Sequence, residues 1–211
     1  MKTILLFFIL IGLTLSACSQ TFEELAQNSL DKMKPKYERL ANANIEIKVR
    51  ERGSAMAASY TWWSVFRKPS KRKYRVLLNK DVKGNYICFE FDHLDSISQN
   101  GVMAHELAHI DLFHSFNFFG FLRFIVGQAL PNGLRKSERA TDIRTIKNGM
   151  GIELRSWSQE TRSKFKAISN QPLPQKFSNR YLTPNEIDSV MKLLPLIYSS
   201  HKKPEKNECN Q

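Results

Sequence analysis

Apolar positions along the chain change period several times, and each change marks an element. After Lys2 comes an uncharged run from Ile4 to Leu15. A basic residue, an apolar stretch too short to span a bilayer and then small residues make a secretory signal over residues 1–17. From residue 21 to 42, Phe22, Leu25, Leu30, Met33, Tyr37 and Leu40 recur near helical spacing, and Pro35 should end or kink that helix. Four short β-prone runs follow: Asn44–Arg50, which alternates cleanly, the aromatic Tyr60–Phe66, Lys73–Leu78 and Tyr86–Phe91. Lys83-Gly84-Asn85 has turn chemistry and splits the last two. Together these runs predict a small, mixed sheet of three or four strands.

Beyond Ser96 the period becomes helical. The run VMAHELAHIDLF carries no Pro and suits a helix, Arg135–Ile146 reads as a second one closed near Asn148-Gly149, and Ser158–Ile168 as a third. Thr183-Pro184-Asn185-Glu186 combines a capping box with Pro at the first helical position, which predicts a helix to about Ser199. The tail, residues 201–211, is polar and expected to be disordered. Between the first two helices, residues 112–130 hold six Phe and one formal charge, Arg123. This stretch reads as buried core that partly roofs a cleft, with an element lying in a membrane interface as the other reading. The whole predicts an α+β fold in one domain, residues 18–200.

Composition adds three constraints. With 42% apolar and 25% charged residues the chain can bury an ordinary core. Its net charge of +12 favours an anionic membrane surface or envelope polymer as neighbour. No nucleic-acid motif is present, and nucleic acid is a poor partner for an exported protein. The apolar run ends in Leu15-Ser16-Ala17-Cys18, which resembles the lipobox of bacterial lipoproteins. That resemblance implies lipidation of Cys18 and anchoring of the domain to the cell envelope, facing the periplasm or the exterior. Cys88 and Cys209 are the remaining cysteines, and in an oxidising compartment pairing and a buried Cys88 thiol both stay open.

His105-Glu106-Leu107-Ala108-His109 carries the chemistry. Residues four apart on a helix differ by about 40° in direction, so both imidazoles leave one face and can share an ion. Glu106, beside that face, can act as general base on a water that Zn2+ acidifies. A catalytic zinc needs three protein ligands and an open position. His114, Glu138, Asp142, Glu153, Glu160 and His201 lie downstream. On a continuing helix His114 faces about 140° away from His109, and Leu112 and Ser115 break the HExxHxxGxxH pattern. Glu138 and Asp142 are i,i+4 and share a helix face, so one can bind the ion while the other accepts an N–H from a ligand histidine.

HExxH followed by Glu-x-x-x-Asp on a later helix resembles the gluzincin clan of zinc peptidases, which includes thermolysin-like, HtpX-like and minigluzincin proteins. The resemblance covers about residues 85–150. It implies a zincin-like arrangement in which His105, His109 and Glu138 hold Zn2+, Glu106 is the base and Asp142 orients a histidine. The chain departs from the HtpX-like branch at Thr141, where that branch usually has Ala. In the clan an edge strand ahead of the HExxH helix aligns the substrate. Tyr86–Phe91 matches by position, with Tyr86, Cys88 and Glu90 as candidate contacts, although a plain core strand explains the run equally. Tyr181, His201 and Arg180 are candidates for stabilising an oxyanion, and nothing selects among them. The expected function is zinc-dependent hydrolysis of peptide bonds in a peptide or protein substrate. The alternative is an envelope lipoprotein that binds zinc without turnover.

Overall fold

A computed structural model describes residues 21–198, so the signal segment, Cys18, His201, Cys209 and the polar tail lie outside the described residues. Thr21 opens the first helix, α1 (Phe22–Met33), with a complete capping box shared with Glu24. It ends ahead of Pro35, as expected, and two 3-10 turns carry Tyr37 and Leu40 into the core. Strands β1 (Asn44–Arg50), β2 (Met56–Tyr60) and β3 (Lys73–Asn79) form a three-stranded sheet in the order β1-β3-β2. β1 runs parallel to β3 and β2 antiparallel to it, so the sheet is mixed and β2 is an edge.

Two predicted strands are corrected. Tyr60–Phe66 contributes only Tyr60 to a strand, and Trp62–Phe66 is a 3-10 turn. There the Ser64 hydroxyl donates to the Thr61 carbonyl at 2.7 Å, a local bond that competes with a ladder. Tyr86–Phe91 is not a strand either. Gly84–Phe89 and Phe91–His93 are consecutive 3-10 turns. Tyr86 and Phe89, three apart, fall on one side of such a turn, and the Tyr86 ring packs 5.4 Å from Phe165 and 5.2 Å from Phe177. The aromatic content that looked like β-propensity serves helix contacts instead. Tyr86, Cys88 and Glu90 therefore offer no extended edge to a substrate. Cys88 is buried, which pushes its thiol up to about 11, and the Glu90 carboxylate accepts from the Val82 N–H.

The helical half is built around α2 (Ser96–Ser115), capped by the Asp95 carboxylate on the Ser98 N–H at 2.7 Å. Every residue of α2 from Ser98 to Asp111 is buried, so neighbours surround this helix. α1 lies along it, with the Tyr37 hydroxyl donating to the Ala104 carbonyl at 2.6 Å. After α3 (Phe118–Ala129) come α4 (Gly133–Lys147) and α5 (Gly151–Ser169). α5 crosses α2 at Gly101, where a Cβ would sit 2.1 Å from the Glu153 carbonyl oxygen. This approach brings Trp157 of α5 against His105, with ring centroids 5.7 Å apart. A short helix, α6 (Gln175–Ser178), leads to α7 (Pro184–Lys192), opened by the predicted Thr183–Glu186 capping box. Pro195 then starts a separate turn of helix, α8 (Pro195–Tyr198), so the helix predicted to about Ser199 is broken.

Candidate metal centre

α2 presents His105 and His109 on one face, and α4 presents Glu138 opposite them. Among the described residues these three form a group able to hold a metal ion. The two Nε2 atoms are 3.2 Å apart, and Glu138 Oε2 lies 3.1 Å from that of His105 and 3.2 Å from that of His109. Ligand atoms on a tetrahedron with bonds of about 2.0–2.1 Å stand about 3.3 Å apart, so the triangle has close to the right edge lengths. The side chains are well covered, at 2% exposure for His105, 11% for His109 and 13% for Glu138.

Hydrogen bonding behind the rings fixes which nitrogens face the centre. His105 Nδ1 is 2.8 Å from Asp142 Oδ1, and a carboxylate there makes Nδ1 the donor. Asp142 is in turn held by the Leu182 N–H on its other oxygen at 2.7 Å. Thr141 donates its hydroxyl proton to the Ser137 carbonyl at 3.0 Å, so the same oxygen accepts from His109 Nδ1 at 3.2 Å. With both Nδ1 atoms donating, the neutral rings turn two Nε2 lone pairs and a carboxylate oxygen toward one another at little over 3 Å. Three acceptors so placed repel unless a cation stands between them. When no metal is bound, a proton on His105 meets that demand. Burial lowers the His105 pKa, but Asp142 and Glu138 outweigh it and hold the ring well above its ordinary value. Burial raises Glu138, and the two histidines outweigh that and hold its carboxyl far below the usual range.

Thr141 is the residue the sequence did not reveal. Seen there only as a departure from Ala, it occupies for His109 the place that Asp142 occupies for His105. Its position three after Glu138 puts it on the same helix face. Thr141→Val keeps the shape and removes the acceptor. It is expected to weaken metal binding by about 10–100-fold, as loss of such supporting groups does. Competition with a chelating dye measures this, and an unchanged affinity would show that His109 needs no such support.

Glu106 projects beside the triangle and is 6% exposed. Its carboxylate accepts from the N–H of Ala58 on β2. Burial pushes its carboxyl above the ordinary range against the opposing charges of His109 and His105. The β2–β3 register explains why the Ala58 N–H is available. Asn79 donates to the Ala55 carbonyl and Thr61 to that of Lys73, so bonded pairs fall at odd positions of β2. Met56, Ala58 and Tyr60 therefore turn their backbone groups outward from the sheet. The edge strand at the site is thus β2, where the sequence suggested Tyr86–Phe91. Its central residues, Ala57, Ala58 and Ser59, are small and carry little β signal.

A cavity of about 620 Å³ adjoins Glu106, bounded by Met56, Trp157, Arg180 and Tyr181. That size is ordinary for a ligand site. Tyr86 also lines it, but as a wall and not as a strand. Beyond the other end of β2, Phe113 lies 6.1 Å from the His109 ring, and Tyr60 packs edge-on to Phe121 at 4.4 Å. Of the oxyanion candidates, Tyr181 stands 5.5 Å from His105 in ring centroids. Burial, with the charges of Glu138 and Glu106, drives its phenol far above the ordinary value, so it remains a donor. Arg180 lines the cavity, and His201 lies outside the described residues. His114 points elsewhere, its Nδ1 being 3.1 Å from the Tyr74 hydroxyl. No protein-family model, curated protein or solved structure matches the chain.

Proposed function

We propose that the protein is a zinc-dependent peptidase of the gluzincin kind. The observation that carries the reading is the acceptor triangle of His105, His109 and Glu138 with Glu106 beside it and the edge strand β2 alongside. The donor set of two imidazoles and one carboxylate suits Zn2+, and three protein ligands leave a position open. Zinc bound there supplies Lewis acidity, which acidifies water and polarises a carbonyl.

The chain's own residues do the rest. β2 aligns the substrate, because an extended peptide can add to the outward backbone groups of Met56 and to the Ala58 carbonyl, while the Ala58 N–H holds Glu106. Glu106 takes a proton from the attacking water and delivers it to the leaving amine, and burial above the usual carboxyl range suits it to both tasks. Asp142 and Thr141 hold the two rings with Nε2 forward. Tyr181 keeps its proton and can donate to a developing oxyanion.

The test is metal content together with turnover in the purified protein. One zinc per chain with hydrolysis of peptides supports the reading. Absence of stoichiometric zinc ends it, and zinc without hydrolysis of any peptide leaves a metal-binding module. The envelope location implied by Leu15-Ser16-Ala17-Cys18 belongs to the same proposal. A fatty-acid analogue fed to expressing bacteria should label the wild type and not Cys18→Ser, and equal labelling of both would refute anchoring at Cys18.

A further inference from the structure

The surface made by residues 62–66 and α3 has no task in the metal centre. Trp63, Phe66, Phe118, Phe119, Leu122 and Val126 stand exposed on it, Trp63 and Phe119 each at 76%. The rings form a chain, with centroids 6.4 Å apart for Trp63–Phe66, 5.1 Å for Phe66–Phe118 and 5.7 Å for Phe118–Phe119. Only Phe121 of α3 is fully buried, so most of this apolar helix faces outward. The surface is built and not incidental. Arg72 is buried and donates to the carbonyls of Arg67, Phe113 and Phe116 at 3.0, 2.9 and 2.8 Å, which ties the two segments together.

The segments that build this surface carry charge of one sign. No acidic residue occurs between Glu51 and Asp81, or between Asp111 and Glu138. Arg67, Lys68, Lys71 and Arg123 are exposed within these stretches. Two copies meeting face to face would bring these cations together, which disfavours self-association. An anionic lipid surface satisfies both features at once: rings enter the boundary between headgroups and acyl chains, while cations meet lipid phosphates. α3 has 12 residues and so spans about 18 Å against a hydrocarbon core of about 30 Å. It suits lying in the interface, and among the described residues no helix is long and apolar enough to cross a membrane.

We propose that the Trp63–Phe119 face docks on the surface of an anionic lipid bilayer. The inference stands apart from the peptidase reading, since no metal ligand takes part. The experiment uses the full chain with vesicles of phosphatidylglycerol and phosphatidylcholine that carry brominated acyl chains, which quench tryptophan on contact. The apolar run of residues 4–15 can itself attach the chain to vesicles, so quenching, and not binding, is the readout. Wild-type emission should be quenched, and Trp63→Phe should remove a large part of the quenched component. Replacing Arg67, Lys68 and Lys71 by Ser should raise the phosphatidylglycerol needed for half-maximal quenching, roughly fivefold per residue at low salt.

Three results would overturn the proposal. One is Trp63→Phe leaving the quenched component unchanged while the chain is vesicle-bound. Another is equal quenching on phosphatidylcholine alone. The third is a solution dimer that Phe119→Ser dissolves, with lipid quenching unaltered by that change. All these side chains are exposed, and circular dichroism of each variant checks that the fold persists.

Discussion

Glu106→Gln is expected to keep the metal and lose the reaction. The amide has nearly the shape of the carboxylate and can still accept from the Ala58 N–H through its oxygen, so β2 and α2 should stay in register. It cannot take a proton from water. Removing a positioned general base costs about 10²–10⁴-fold in rate, and the loss should fall on kcat more than on KM, because the strand edge that binds substrate is untouched. The measurement pairs peptide turnover with metal analysis of the same sample. Undiminished hydrolysis would remove Glu106 from the mechanism. Loss of zinc along with the activity would make the residue a support for the metal centre instead.

The second large effect is removal of the ion. Without the ion, His105, His109 and Glu138 leave acceptors 3.1–3.2 Å apart that a buried proton on His105 only partly satisfies. Chelation is therefore expected to abolish hydrolysis and to lower stability by about 4 kcal/mol relative to protein with zinc at a thousandfold excess over its Kd. Glu138→Ala should bind no stoichiometric zinc, and adding zinc should not raise its unfolding midpoint. Denaturant unfolding with and without metal gives both numbers. If chelator leaves the wild-type midpoint where it was, the ion is not part of the folded protein.

Much of the site was legible because its chemistry is local. His105, Glu106 and His109 are placed by one helical period, and Glu138 and Asp142 by another, so spacing along the chain sets the directions of their side chains. The cap at Thr183 was legible for the same reason, being a contact across three residues. The strands were less so. Tyr60–Phe66 and Tyr86–Phe91 have the composition of strands, but that composition records only that aromatic rings need something to pack on. In one segment Ser64 satisfies the backbone locally, and in the other α5 and α6 supply the surface. The real edge strand, Met56–Tyr60, has three small central side chains and gives almost no pattern.

Sequence alone determined which residues meet on each helix face, and with them the candidate ligands, the base and the orienting carboxylate. Short-range geometry needs no knowledge of the rest of the chain. Tertiary structure decided how those faces come together. It brought α4 against α2 so that three acceptors point at one place, gave Thr141 to His109, and set the open edge of β2 beside Glu106. It also divided the Phe-rich segment, for which composition left core and membrane interface both open, seating Phe113 and Phe121 in the core and turning most of α3 outward. These outcomes depend on packing between residues 29 to 71 positions apart in the chain, such as Glu138 on His109, α5 crossing α2 at Gly101 and the ties from Ser29 to Asn100 and from Leu182 to Asp142. Such contacts form because the assembled fold buries them together, and no local pattern records them.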